Sequence, residues 1–243
     1  AQDPVQAAAD LERALSEESR PWVRREILSD LVRCATFQRQ FAVAGSRYLA
    51  IETSDPDTPH LAVIPLRWTT APPTRDDRAA AVKWLRSKSA TANLMGASQL
   101  LLDPEFSSEA EATLRRIGRG DSLRLQPLAQ WQSRRAEAFS GRPRLSDLQY
   151  WQRSFDQLPV HLQAGPAYLV AEALDRRAES ALAASYWLRL VTSEAGDLWL
   201  LADSLERGAE ALRTAGQTSE AAALRDERQR RFPNWVREPA APA

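Results

Sequence analysis

The chain has 243 residues, of which 44% are hydrophobic and 26% are charged, a composition that excludes a wholly disordered protein. Its 32 basic residues balance 32 acidic residues, which disfavours a general polyanion binder. The single cysteine, Cys34, excludes an internal disulfide and a multi-cysteine metal site, and the two histidines leave little material for zinc or haem chemistry. We therefore expect no cofactor. No apolar run approaches the roughly 20 residues that span a bilayer, so no membrane span is expected.

The N-terminal region, residues 1–58, predicts helices. Pro4 and Pro21 each suit the first position of a helix, and apolar residues follow both of them at helical spacing. The opening tetrapeptide suits the first residues after a signal-peptidase cut, which predicts export.

Prolines between residues 59 and 73 forbid a long helix, so this region is predicted to be an irregular connection, with a short strand near His60 as the alternative. Further helical hairpins are predicted over 74–162, with a helix that breaks or kinks near Pro127. The region 163–233 predicts four helical segments, and the tail 234–243 is predicted to be disordered. The four segments lie near 166–175, 178–193, 197–215 and 217–231.

Short loops between successive helices force neighbours to pack antiparallel, and a series of such hairpins stacks into a solenoid. We therefore predict an all-α fold, with a closed helical bundle as the alternative. A repeated spacing supports the solenoid: a small residue precedes the end of a helix by twelve positions, as Ala44 precedes Pro56. The further instances are Ala92 with Pro104, Ala221 with Pro233 and, in degenerate form, Ala181 with Ser193.

This pattern resembles the tetratricopeptide repeat family, in which the second helix of each repeat carries an early small residue, a large residue four positions later and a terminal proline. Ala44, Tyr48 and Pro56 match these positions, and Ala221 and Pro233 match two of them near the other end. The resemblance implies a right-handed α-solenoid of antiparallel helix hairpins. It fails between residues 107 and 162, where the helix pairs look more like HEAT repeats.

Several residues that could carry chemistry have simpler interpretations. The acidic pairs at 55/57, 76/77 and 103/105 flank predicted helix ends, where carboxylates act as caps. Cys34 lies on the apolar stripe of its helix, as inert buried thiols do. Paired arginines lie near glutamates, which favours solvated helix faces over a phosphate-binding stripe. No catalytic residue and no metal ligand is predicted.

The resemblance implies a non-catalytic scaffold that binds another protein or a peptide on its concave face, as a component of a larger assembly. Degenerate repeats of this kind are similar to tetratricopeptide proteins of bacterial envelopes, especially planctomycete-like ones. This similarity implies a place in a bacterial envelope or periplasm, with the cytoplasm as the alternative. The alternatives for function are a helical accessory domain of a peptidoglycan enzyme system and a nucleic-acid-binding solenoid. The predicted partner-binding residues are Glu26, Arg33, Phe37, Asp203, Glu206, Glu210, Arg213 and Trp235.

Overall fold

A computed structural model describes residues 4–54, 62–140, 143–192 and 197–237, and all regular secondary structure in these ranges is helical. The all-α prediction is therefore confirmed for the described part of the chain. One element is a short 3-10 helix, Val160–Leu162. The α-helices are α1 (Pro4–Glu17), α2 (Pro21–Phe37), α3 (Phe41–Ser54), α4 (Arg75–Leu85), α5 (Ala90–Leu100), α6 (Ser107–Ile117), α7 (Leu125–Ser133), α8 (Arg135–Ser140), α9 (Leu145–Asp156), α10 (Ala164–Asp175), α11 (Ser180–Thr192), α12 (Leu198–Thr214) and α13 (Thr218–Arg231).

The chain forms two compact units. The first unit comprises residues 1–67, 72–121 and 196–198, and the second comprises residues 68–71, 122–195 and 199–243. Helices α1 to α6 belong to the first unit, whereas α7 to α13 belong to the second apart from the first residue of α12. The main boundary, after residue 121, lies inside the region 74–162 that the sequence treats as one block.

The first unit is held together by close helix pairing. Helix α5 is buried on all sides from Thr91 to Leu100. Helix α4 approaches α5 at Gly96, where an added Cβ would lie 2.5 Å from the backbone nitrogen of Leu85 and 2.6 Å from the carbonyl oxygen of Ala81. Only a residue without a side chain permits this backbone contact.

A buried charged group links three helices of the first unit. Asp77 in α4 accepts a hydrogen bond of 2.7 Å from the backbone N–H of Ala42, at the start of α3, and lies 3.7 Å from the Arg67 guanidinium. Arg67 also donates to Gln99 Oε1 at 2.7 Å and stacks 4.5 Å above the Phe41 ring. The predicted capping role of Asp77 is therefore found, although the helix that it caps is α3, not its own.

In the second unit, α10 to α13 coincide with the four predicted segments to within two residues at each end. Residues 215–217 join α12 to α13, and Gly216 adopts a φ of +86°, a conformation that favours glycine. Gly208 in α12 packs against α11 and α13, since an added Cβ there would meet Trp187 and Leu224 at 3.2 Å. These helices therefore pack as consecutive neighbours, compatible with a helical repeat fold.

A separation of 34 or 35 residues recurs among hydrogen-bonded pairs within both units. In the first unit Ala42 bonds to Asp77, and in the second Tyr168 bonds to Asp203. Each pair joins residues of two helices or of the segments next to them. The other pairs are Gln38 with Pro4, Arg47 with Glu12 and Arg177 with Pro143.

The predicted small positions are buried with one exception. Ala44, Ala92 and Ala221 are at most 2% exposed, but Ala181 is exposed, and Ala183 and Ala184 face inward in its place. The predicted register of α11 is therefore wrong by two or three positions. The helix end at Pro56, the acidic pair 55/57, His60 and Ser193 lie outside the described residues.

Two further expectations differ from the structure. Pro127 does not kink a helix, because α7 begins at Leu125 and Pro127 lies in its first turn, where a missing N–H costs nothing. The helical path breaks instead at Arg134. The tail predicted to be disordered is described as far as residue 237, and Trp235 within it is buried.

Candidate functional site

A buried polar cluster lies where α10 meets α12 in the second unit. Tyr168 and Glu172 are four residues apart on α10, and Asp203 and Arg207 are four residues apart on α12. Residues at this spacing share a helix face, so each helix presents two polar side chains to the other. Tyr168 and Asp203 are each 1% exposed and Glu172 is 2% exposed, which places the cluster in the core.

Hydrogen bonds and ion pairs join these four side chains into one network. The Tyr168 hydroxyl donates to Asp203 Oδ2 at 2.6 Å, and Arg207 Nε donates to the same oxygen at 3.0 Å. Arg207 Nη1 lies 2.9 Å from Glu172 Oε2. The ring of Tyr168 packs edge-on against Trp187, with 5.1 Å between ring centroids, and fixes the position of the hydroxyl.

The environment of the cluster fixes its protonation. Burial raises the pKa of Tyr168 well above its ordinary value, and the neighbouring Asp203 carboxylate raises that pKa further. Burial alone lowers the pKa of Arg207, but the neighbouring Tyr168, Asp203 and Glu172 raise this pKa by more. Tyr168 and Arg207 therefore act as hydrogen-bond donors and not as groups that exchange protons near neutral pH.

Two further arginines complete the charge balance of the cluster. Arg176, one turn beyond Glu172, donates from Nε to Glu172 Oε1 at 2.7 Å. Arg237 donates from Nη1 to Glu210 Oε1 at 2.9 Å, and its Nε lies 4.0 Å from Asp203 Oδ1. Each guanidinium of the cluster thus faces at least one carboxylate, although Arg176 and Arg237 are themselves exposed.

A cavity of about 70 Å³ opens beside Asp203. It has aromatic walls as well as charged ones, and the segment 69–71 closes one side. Among the described residues, Asp203 Oδ1 has no hydrogen-bond partner, although the side chain is 1% exposed. A buried carboxylate oxygen without a donor costs free energy, so the polar cluster is incompletely satisfied at this oxygen. The lining residues are Thr69, Thr70, Ala71, Phe139, Tyr168, Arg176, Trp199, Asp203, Arg207 and Arg237.

The C-terminal segment after α13 helps to form this cavity. Trp235 is 9% exposed and packs against Trp199, a lining residue, with 6.2 Å between their rings. The guanidinium carbon of Arg228, in α13, lies 5.8 Å from the centroid of the Trp235 ring. The buried tryptophan anchors the segment and so positions Arg237 beside Asp203.

The predicted binding residues of α12 lie in different surroundings in the structure. Asp203 is buried at the cavity, and Glu210 binds Arg237 beside it. Glu206 lies 3.5 Å from Arg228 and pairs also with Arg225, both on α13. Arg213 is exposed. The structure therefore brings together Asp203, Glu210 and Trp235, the last through its packing on Trp199, whereas Glu206 holds α12 to α13.

The predicted binding residues of α2 belong to the first unit. Glu26 and Arg33 are exposed, and Phe37 is half-buried. Arg33 lies 3.1 Å from Asp30, one turn earlier on the same helix, and Glu26 lies 3.9 Å from Arg25. These contacts are local pairs on a solvated face.

Sequence reasoning missed Tyr168, Glu172 and Arg207 as site residues. Glu172 carried a signal, because it is the one carboxylate in the middle of an otherwise apolar helix, and a buried carboxylate needs a cation. Tyr168 and Asp203 are 35 residues apart, so no pattern within one helix indicates their pairing.

No group of three or more potential metal-ligating residues occurs in the described ranges. Within the same ranges, no helix has the length and apolar character needed to cross a membrane. Comparisons with protein-family models, with curated proteins and with solved structures find no match for this chain.

Proposed function

We propose that this chain is a non-catalytic scaffold of tetratricopeptide-like helical repeats that binds a segment of another protein, with the cavity beside Asp203 as part of the binding site. The observation that carries the proposal is the cavity itself, which combines aromatic walls with the charged side chains of Arg176, Arg207 and Arg237.

The recurring separation of 34 or 35 residues between bonded pairs supports the repeat assignment. It equals the length of one tetratricopeptide unit, two helices of three to four turns with their connections. On this proposal α10 and α12 are the first helices of two successive units, and the right-handed stacking and the HEAT-like middle remain predictions.

The position of the cluster supports a binding role for these first helices. Binding residues in repeat proteins lie on the face that successive repeats build together. On this proposal, the buried Tyr168–Asp203 hydrogen bond holds the first helices of two successive units together. A cavity with aromatic walls and a few convergent polar groups is the usual character of a binding site.

The contacts of the arginines do not favour the nucleic-acid alternative. Arg176 pairs with Glu172, Arg115 lies 3.6 Å from Glu111, and Arg231 lies 3.7 Å from Glu227. A phosphate-binding surface needs arginines that are free of carboxylates and gathered on one face. The predicted envelope location and the peptidoglycan-system alternative stay predictions.

The proposal can be tested by selection from a display library of random dodecapeptides on the immobilised whole chain, followed by affinity measurement with labelled peptides. We expect peptides that bind specifically, and we expect Arg176→Gln, which changes the cavity lining, to weaken them by roughly tenfold. Arg213→Gln is the matched control, because Arg213 is exposed on α12 and does not line the cavity.

Each outcome decides between the cavity and its alternatives. A selection that yields no specific peptide contradicts the proposed function. Equal loss of affinity in Arg176→Gln and Arg213→Gln would place the binding surface on the strip that the sequence predicts, outside the cavity.

A further inference from the structure

We infer that the cavity beside Asp203 recognises a side-chain carboxylate, that of aspartate or glutamate, on the partner segment. This inference rests on the proposed function and adds the chemistry that the site selects. It follows from three features of the cavity: the unequal exposure of its acidic and basic groups, the free donors of Arg176, and the size of the space.

The first feature is which charged groups a ligand can reach. Three arginines and one aspartate line the cavity. The side chains of Asp203 and Glu172 are only 1% and 3% exposed, but those of Arg237 and Arg176 are 40% and 45% exposed. Glu210, which pairs with Arg237, is exposed but does not line the cavity. The cluster therefore balances its charges in number, yet it presents mainly guanidinium groups to a ligand in the cavity.

The second feature is the position of Arg176 and its free donors. The guanidinium carbon of Arg176 lies 5.5 Å from the centroid of the Phe139 ring, which is another wall of the cavity. Its Nε donates to Glu172 Oε1 at 2.7 Å, and neither terminal nitrogen makes a hydrogen bond within the described part of the chain. Because the donors of a guanidinium lie in one plane and match the two oxygens of a carboxylate, Arg176 can bind such a group on the partner.

The neighbouring arginines strengthen the preference for an anion. Glu172 is shared by Arg176 Nε at 2.7 Å and Arg207 Nη1 at 2.9 Å. Asp203 is shared in the same way by Arg207 Nε at 3.0 Å and Arg237 Nε at 4.0 Å. Three guanidinium groups therefore share two buried carboxylates. A carboxylate in the cavity would be attracted by these cations, whereas an ammonium or guanidinium group would be repelled by them.

The size and the walls of the cavity agree with an acidic side chain. A volume of about 70 Å³ corresponds to roughly two to five water molecules, depending on the measure used for water. A carboxylate with one or two methylenes has this size. The rings of Phe139, Tyr168 and Trp199 supply apolar walls for the methylenes. A carboxamide has the same shape, but its hydrogen bonds to arginine lack the contribution of a second charge.

The ligand-side experiment uses the peptides enriched from the random dodecapeptide library on the wild-type chain. They are synthesised with amidated C-termini, so that every carboxylate belongs to a side chain. We expect aspartate or glutamate at one fixed position of the enriched sequences. Replacing that residue by asparagine or glutamine keeps its shape but removes its charge. The loss of a hydrogen bond between charged groups predicts roughly ten- to a hundredfold weaker binding.

The protein-side experiment repeats this exchange on Arg176→Gln, which completes a double-mutant cycle. The acid-to-amide exchange should cost this variant roughly five- to tenfold less affinity than it costs the wild type, because the main donor to the carboxylate is gone. Glu172 keeps its contact with Arg207 in this variant, so the buried carboxylate is not left without a cation. Arg213→Gln, the same change at an exposed position outside the cavity, should keep the full effect of the exchange.

The outcomes separate this inference from the proposed function. Enriched peptides without a fixed aspartate or glutamate would overturn the carboxylate assignment and keep a peptide site. Peptides that bind only with a free C-terminus would overturn the assignment to a side chain. An exchange that costs Arg176→Gln as much as it costs the wild type would overturn the assignment of this cavity. An absence of enriched peptides would contradict the proposed function itself.

Circular dichroism checks that Arg176→Gln is folded. If it is not, Arg237→Gln takes its place in the cycle, because Arg237 is the other exposed arginine of the cavity lining. The same difference in the cost of the exchange is then expected, and its absence would again overturn the assignment.

Discussion

Each unit buries an aspartate that bonds to a residue 35 positions earlier, but the two carboxylates have different surroundings. Asp77 in the first unit binds the backbone N–H of Ala42 and faces Arg67, which is itself held by Gln99 and stacked on Phe41. Asp203 in the second unit accepts hydrogen bonds from two side chains, Tyr168 and Arg207. It also lines a cavity.

The difference shows that one separation along the chain can place a carboxylate in different surroundings. Asp77 contacts the start of α3 and the guanidinium of Arg67, whose side chain is 3% exposed. It therefore holds helices together. At Asp203, both donors are side chains, one from α10 and one from α12, and both bind Oδ2. The contacts around a residue, and not its type or spacing, decide which helices it joins.

The largest effect is expected for Asp77→Ala. This change removes the cap of α3 and leaves the buried Arg67 without its carboxylate, which predicts a loss of about 3–5 kcal/mol in the free energy of unfolding. Urea denaturation followed by circular dichroism measures it. Asp76→Ala, at the exposed neighbouring position, is the control and should change the free energy by less than about 0.5 kcal/mol. A similar loss of unfolding free energy in both variants would contradict the structural role of Asp77.

A moderate effect is expected where helices in either unit pack through small residues. Ala44→Leu in the first unit and Ala221→Leu in the second should each cost about 1–3 kcal/mol, because a larger side chain forces the paired helices apart. Ala181→Leu should be nearly neutral, since Ala181 is exposed. Thermal melts of the three variants test this ranking, and a costly Ala181→Leu would restore the predicted register of α11.

The smallest effect is expected for Asp175→Asn, beside the cluster of the second unit. Burial raises the pKa of Asp175, and the nearby Glu172 carboxylate raises it further, so the folded state binds this proton more tightly than the unfolded state. Ionisation of Asp175 therefore disfavours folding as the pH rises through its folded pKa.

The asparagine variant avoids this cost. We expect its melting temperature to exceed that of the wild type at pH 7 by on the order of a degree or two, and the gain to vanish at acid pH below the ordinary aspartate pKa of about 3.9. Asp226→Asn, at an exposed site, serves as the control. A gain that persists unchanged at acid pH would show that the ionisation of Asp175 is not its cause.

The sequence by itself determined the helical character of this protein and the bounds of its C-terminal helices. These features depend on local patterns: apolar spacing, prolines at helix starts and glycine at the α12–α13 turn. The burial of Ala44 and Ala221 also followed from a short repeated spacing. Such signals lie within a few helical turns of the residues that they describe.

Only the tertiary structure decided which polar residues form the candidate site. Asp203 and Arg213 are both polar residues of α12, but the first is 1% exposed and the second is exposed, because Tyr168 of α10 packs over one face of the helix. Trp235 lies in a segment whose composition predicts disorder, yet its packing on Trp199 buries it. Burial and hydrogen-bond partners depend on which helices meet, and that is a property of long-range packing that the local pattern of a single sequence does not contain.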